Sequence, residues 1–378
     1  MSKKKKSVRF FSIHPDEEKA QIGLSIFNVF KSEVETSLPL REISLKAGIS
    51  YGTASEYVNL CGKSGFLKIS GSGQDELVSF NDSLGKILGV GFKGDRSFLT
   101  VMDLSGKVIT RAQVGVRHLS ELKGRNKEIK GIIEEIKNGM EALGTGFYSA
   151  GIALPEELTG KNPRSMDILA DGIGRLFDCD VLVTGEATAA GYGERDCGDR
   201  SRGRDVLYMH LDIGTGVVIK REMIFEADDS SNGEDKAYLR PWRQFSIVST
   251  AKSLVNKGVG TSIVNMVGGD VNGITLEIVL GAAKDHDELA EDLVRRSGLA
   301  LGVRTAYLAN MFNPAVVILG GGTEREQSNF IQFVKESAKR FLMKKLVDKL
   351  EVVPGVLGAE ASSIGAASLC RRELFMEV

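Results

Sequence analysis

The sequence predicts an α/β protein: a small helical module with a β-hairpin behind it, then a longer body of alternating strands and helices. Three observations carry that expectation. Apolar residues recur at helical spacing around a glycine turn near the N-terminus. Beyond Leu84, strand-like runs alternate with helical stretches. One strand–turn–strand pattern also occurs twice, as ILGVGF with SFLTVMDLSG, and about 120 residues later as VLYMHLDIGTGVVIKREMIF from Val206. Two similar halves imply two lobes with a cleft between them.

The chain has 378 residues, enough for two or three domains, with 42% hydrophobic and 26% charged residues. The net charge of −1 excludes polyanion binding by bulk charge, so any nucleic-acid surface must be local. No apolar run is long enough to span a bilayer, and no signal-peptide core follows MSKKKKSVRFF, which makes the cytoplasm the expected location. Cys61, Cys179, Cys197 and Cys370 form no C-x-x-C pair and are expected as buried thiols, not as disulfides or zinc ligands.

Residues 1–16 read as a basic tail and 17–83 as a winged helix-turn-helix. Ile22, Ile26, Val29 and Phe30 share one face of a first helix. Pro39 suits the start of a second helix, Leu40 to Ala47. Gly48 provides a tight turn, and Ser50 or Thr53 can cap a third helix that turns Ala54, Tyr57, Val58 and Cys61 inward. Two short helices joined through a glycine turn are a helix-turn-helix signature. FLKIS and ELVSF, around Gly71-Ser72-Gly73-Gln74, then alternate as a wing.

Double-stranded DNA is the expected partner, with Ser50, Tyr51, Gly52, Thr53, Ser55, Asn59 and Lys63 as the candidate contacts. Glu56 lies on the same outer face. Residues 17–83 carry six Lys/Arg against nine Asp/Glu, a net of −3, which is poor in the cations that duplex binding uses. A tail holding Lys3, Lys4, Lys5, Lys6 and Arg9 could supply them as an arm. A helical packing domain without a DNA role is the competing reading of the module.

Behind the winged helix stand GIALPEELTG (151–160), VLVTGEATAAGYGE (181–194), LDIGTG (211–216), NMFNPAVVILGGG (310–322) and VVPGVLGAEASSIGAASL (352–369). In this order the chain resembles the ROK family of repressors and sugar kinases from about residue 20 onward. The resemblance implies an actin-like, ribonuclease-H-type pair of α/β lobes over 84–378. It puts the lobe boundary near 195–205, returns the last helix to the first lobe, and implies a homodimer or homotetramer.

The resemblance also locates the chemistry. ROK kinases use an aspartate and small residues in the first hairpin to place magnesium and ATP phosphates. Here Gly91-Phe92-Lys93-Gly94-Asp95 puts an aromatic and a lysine there. Gly89, Gly91 and Gly94 are therefore expected to resemble a nucleotide holder without forming one. The second turn, Asp212-Ile213-Gly214-Thr215-Gly216, is shorter than the family's. Gly214, Thr215 and Gly216, with Gly320, Gly321 and Gly322, are the contacts for a nucleotide if one binds.

The position of the family's catalytic aspartate holds Glu186, preceded by Gly185 in place of asparagine. Glu186 would act as base only in a kinase. It could equally be a helix N-terminal carboxylate favoured by the dipole. Glu186 and Glu234 are the candidate effector contacts. The family's histidine and cysteine-rich zinc loop are missing from the stretch after Glu234, so zinc is not expected. Together these features predict a DNA-binding regulator that senses a sugar or sugar-derived ligand and lacks kinase activity. The alternatives are an ATP- and magnesium-dependent sugar kinase with an appended DNA-binding domain, and a scaffold whose winged helix has lost DNA binding.

Overall fold

The computed structural model describes residues 7–11, 18–32, 37–71, 76–116, 126–139, 143–155, 163–198, 201, 203–211, 215–220, 222–227, 247–321 and 329–376. Lys3 to Lys6, the wing tip at 72–75, Asp212 to Gly214, Glu234 and Gly322 lie outside the described residues. No helix among the described residues is long and apolar enough to cross a membrane.

The front of the chain is a winged helix. It consists of α1 (Glu18–Ser32), β2 (Ser37–Pro39), α2 (Leu40–Ala47), α3 (Tyr51–Ser64), β3 (Leu67–Ser70) and β4 (Leu77–Phe80). The segment before α2 is a short strand that pairs with β4 in a three-stranded sheet ordered β2-β4-β3. Pro39 serves both elements: its fixed φ of −61° suits a strand end and its missing N–H leaves no donor unsatisfied at the helix start. One expectation needs correction. Arg9 does not belong to a free arm, because Val8–Phe10 form a strand, β1, that runs parallel to Val181–Val183. Alternation in V-R-F suits a sheet edge, and the Ser7 amide donates to Asp180 Oδ1 at 2.8 Å to fix the register.

The body of the first unit adds β5 (Lys86–Lys93), β6 (Arg96–Met102), β7 (Val108–Gly115), α4 (Asn126–Asn138), β8 (Phe147–Leu154), α5 (Pro163–Phe177), β9 (Asp180–Gly185) and α6 (Glu186–Cys197). Its sheet is ordered β1-β9-β8-β5-β6-β7. The second unit holds β10 (Val206–His210), β11 (Gly216–Lys220), β12 (Met223–Ala227), α7 (Ile247–Asn256), α8 (Ile263–Met266), α9 (Leu276–Lys284), α10 (Glu288–Phe312), β13 (Val316–Gly320), α11 (Asn329–Phe341), α12 (Lys344–Val347) and β14 (Glu351–Pro354). Its sheet is ordered β12-β11-β10-β13-β14. Setting β1 aside, the two sheets share one plan. Three consecutive antiparallel strands are followed by two parallel ones that add beside the first. The sequence echo at Val206 is thus a repeated α/β topology, the actin-like arrangement.

The last helix, α13 (Ala361–Leu374), belongs to the first unit, which comprises residues 1–196 and 360–378. Alternation along β5 explains its seat. Leu88, Val90 and Phe92 face a core completed by Ile132, Ile136 and Ile173 of α4 and α5. Gly89 and Gly91 face the other way, where a methyl on either would overlap the backbone or side chains of Ser362 and Ser363. Gly151 of β8 meets the Ala366 carbonyl in the same way. Thr100 and Ser363 share a hydroxyl–hydroxyl hydrogen bond of 2.8 Å beneath the helix. On its far side α13 crosses α6 backbone to backbone at Gly193 and Gly365.

Both helices reach the winged helix. Phe375, just past α13, is ringed by Phe27 and Phe66 at centroid distances of 5.1 Å and by Phe30 and Phe80 at 6.1 Å. The Tyr57 hydroxyl of α3 donates to the Phe375 carbonyl. At the end of α6, buried Asp196 pairs with Lys31 of α1 and with Arg371 of α13, the latter at 3.3 Å. The Lys31 ammonium lies 5.0 Å over the Tyr192 ring, and the Arg371 guanidinium 5.0 Å over Phe27. Arg371 also donates to the Ser105 carbonyl at 2.6 Å. Burial alone would raise the pKa of Asp196, but Lys31 and Arg371 together hold it well below the usual carboxylate range.

Two stability predictions follow from this packing. Gly365→Ala should cost about 1–3 kcal/mol or more in denaturant unfolding, because the added methyl meets the Ala189 carbonyl. Gly260→Ala, in open space, should be near neutral. Asp196→Asn should cost about 3–5 kcal/mol by leaving two buried cations without their counter-charge. The sign with pH is set by the depressed pKa. Asp196 contributes its full stabilisation above the unfolded carboxylate pKa of about 4, and that contribution fades as pH falls toward the lower folded value. In Asp196→Asn this part of the acid dependence should vanish.

Candidate functional site

The helix-turn-helix is assembled by local chemistry. Leu40 and Ile43 of α2 are buried, and Gly48 closes the helix at φ 69°, a left-handed conformation that favours glycine. Ser50 caps α3: its Oγ accepts from the Thr53 amide at 3.0 Å and shares a 2.7 Å hydrogen bond with the Thr53 hydroxyl. Ala54, Tyr57, Val58 and Cys61 are buried. Burial pushes the Cys61 thiol up to about 12 and raises the Tyr57 phenol, so neither ionises near neutrality. Cys370 is likewise pushed to about 12.

The structure sorts the seven candidate DNA contacts into two groups. Ser50 and Thr53 are engaged in the cap. Tyr51, Gly52, Asn59 and Lys63 are exposed, and Ser55 is half-buried, receiving a weak 3.4 Å hydrogen bond from Asn59. Sequence reasoning missed Arg41 at the start of α2 and Lys68 on the wing strand, both exposed. Nor did the net charge reveal that Lys31 is withdrawn into the pair with Asp196 and that Lys46 is paired with Glu42 at 2.6 Å. The cations left to meet phosphates are fewer than the sequence count.

Glu186 opens α6 directly after β9 and is half-buried. Its intended companion, Glu234, lies outside the described residues, so of the two effector candidates the structure describes Glu186 alone. What it does show is the path from Glu186. Twelve residues of one helix join it to Cys197, passing the crossing at Gly193 and the ion cluster at Asp196.

Apart from Gly94, the nucleotide candidates that are described have packing partners. Gly89 and Gly91 carry α13, and Gly94 turns the hairpin at φ 56° with open space around it. Thr215 is buried, and its carbonyl accepts from the His210 amide at 2.9 Å, which closes the second hairpin. A methyl on Gly216 would meet Leu308 of α10 at 2.5 Å. Gly320 lies against the Tyr208 ring and Gly321 against the His210 ring, with closest approaches to a built methyl of 2.5 and 2.7 Å. In the second unit, two rings of β10 occupy the space over the glycine turn. No cluster of three His, Cys, Asp or Glu that could hold a metal occurs among the described residues.

Comparison with known proteins agrees with this architecture. Residues 257–373 match the sequence profile of the ROK family. The xylose repressor of Caldicellulosiruptor bescii is 22% identical over 334 residues, covering 79% of this chain and 83% of the repressor. Among solved structures, a ROK family transcriptional regulator, a homologue of the E. coli MLC protein, superposes with a TM-score of 0.64 at 14% identity over 95% of this chain and 97% of its own. A ROK family glucokinase from Streptomyces griseus, solved with glucose and AMPPNP, gives a TM-score of 0.56 at 22% identity, covering 75% of this chain and 99% of the kinase. The regulator is matched almost end to end, whereas the kinase leaves a quarter of this chain unmatched. By its repeated topology, its motifs and these likenesses, the chain is similar to ROK family proteins, most directly over residues 257–373.

Proposed function

We propose that the chain is a ROK-type transcriptional regulator that binds double-stranded DNA through α2, α3 and the wing, and responds to a sugar or sugar-derived ligand without phosphorylating it. The observation that carries this reading is the shared core. The winged helix is completed by Phe375 and anchored by Asp196, so it is built onto the two helices that frame the first α/β body. A ligand that draws on Glu186 acts on α6, and the far end of α6 holds α1 through Lys31. A two-state shift of α6 would therefore tilt the DNA-binding face. The repressor identity of the xylose relative supports a pentose or related sugar as effector. A homodimer would set two winged helices on successive half-sites.

The loss of phosphoryl transfer rests on Lys93 standing in the first hairpin and on the rings of Tyr208 and His210 packed against Gly320 and Gly321. The test uses the purified full-length protein. D-xylose or another monosaccharide should raise its melting temperature, whereas ATP with magnesium should not. Sugar-dependent ATP turnover would sink this reading.

DNA binding should be measured by anisotropy on duplexes from upstream of its own gene. With so few unpaired cations among the described residues of the winged helix, the slope of log K against log salt should be shallow, about −3 per module for roughly three phosphate contacts. Phe375→Ala should lower the unfolding free energy by about 3–5 kcal/mol and weaken DNA binding with it. Glu186→Gln should leave DNA binding intact and abolish the sugar-induced thermal shift.

A further inference from the structure

Resting on that reading, a second question concerns how a cation-poor helix chooses its DNA. At about 100° per residue, Gly52, Glu56, Asn59 and Lys63 fall within an arc of about 60° on α3. All four are exposed, while Ala54, Tyr57, Val58 and Cys61 hold the opposite face in the core. The stripe carries two formal charges, Lys63 near its C-terminal end and Glu56 in its middle. The carboxylate of Glu42 in the neighbouring helix is neutralised by Lys46. Glu56 has no ion pair and no hydrogen-bond partner among the described residues.

A free carboxylate at the centre of a DNA-facing helix repels phosphate and works against non-specific binding. Its chemistry suits one kind of contact. An ionised carboxylate only accepts hydrogen bonds. Guanine and the O4 of thymine offer acceptors in the major groove and are rejected. Adenine offers the N6 amine, but with the N7 acceptor beside it. Cytosine presents its N4 amine and no major-groove acceptor of its own. Gly52, one turn earlier, has no side chain to hold the helix away from the base edges.

We infer that Glu56 is a base-reading residue that selects cytosine through its N4 amine, so that the module exchanges general phosphate affinity for discrimination. Asn59 stands one turn further on, where its amide is placed to read an adjacent base. Lys63 and Arg41 are left to meet the backbone.

The experiment is selection of a randomised duplex library by the full-length protein, followed by the same selection with Glu56→Gln and Glu56→Ala. The wild type should enrich a motif with a cytosine in each half-site, favoured by about tenfold to a hundredfold over other bases. Glutamine has nearly the same shape but pairs with adenine through N6 and N7. Glu56→Gln should therefore move that one position from cytosine to adenine and leave the rest of the motif in place. Glu56→Ala should lose preference there and bind random duplex more tightly than wild type. Melting temperatures should match, since the side chain is exposed. A motif unchanged in both variants would overturn the assignment while leaving the regulator reading standing. A wild type that enriches no sequence would overturn both.

Discussion

The structure depends on one close approach: the backbone of α13 laid directly on the first sheet and across α6. Main-chain atoms come within contact distance at Gly89, Gly91, Gly151, Gly193 and Gly365, and at each a single methyl would have to displace backbone rather than a flexible side chain. Such packing cannot be relieved by rotamer changes, which makes it a geometric requirement for the whole unit. The aromatic ring around Phe375 and the ion cluster at Asp196 follow from it, because both use residues that α13 delivers. The winged helix is docked where that helix ends.

This explains what the sequence revealed and what it hid. The fold class was legible because it is written in local periodicity: a glycine turn between two short helices, and a strand–turn–strand pattern that recurs. The meaning of the glycines was not. In sequence, Gly89 and Gly91 suggest a phosphate cradle, and their true neighbours, Ser362 and Ser363, lie some 270 residues away. The same holds for Gly216 against Leu308 and for Gly320 and Gly321 against Tyr208 and His210. A glycine signals close approach, and only the tertiary structure says what approaches. Helix α1 offers a second case. A single apolar stripe accounts for Ile26, Val29 and Phe30, yet Leu24 and Phe27 are buried too, and Phe27 packs against Phe375, just past α13. The strand at Val8–Phe10 was hidden because three residues beside a lysine run read as tail, and its partner strand begins at Asp180.

Charge follows the same logic. A count over the module gives a net of −3, but a count does not say which charges face the solvent. Lys31 is spent inside the protein and Lys46 on its own helix. The outer face of α3 is therefore governed by shape and hydrogen bonding more than by field strength. A surface of this kind contrasts with DNA-binding modules that rely on dense cation patches, whose affinity falls steeply with ionic strength.

The helix that completes the first unit lies about 280 residues beyond the winged helix that it supports. The sheet edge begins at Val8, the winged helix ends near Phe80, and both stay exposed or half-packed until residues 361–375 emerge. Every contact between those ends has nearly the whole chain as its loop, a topology that folds slowly and late. Without those residues, Tyr57 of α3 and Phe66 just past it would lack their contacts with Phe375. The packing beneath the winged helix is thus complete only once residues 361–375 are in place.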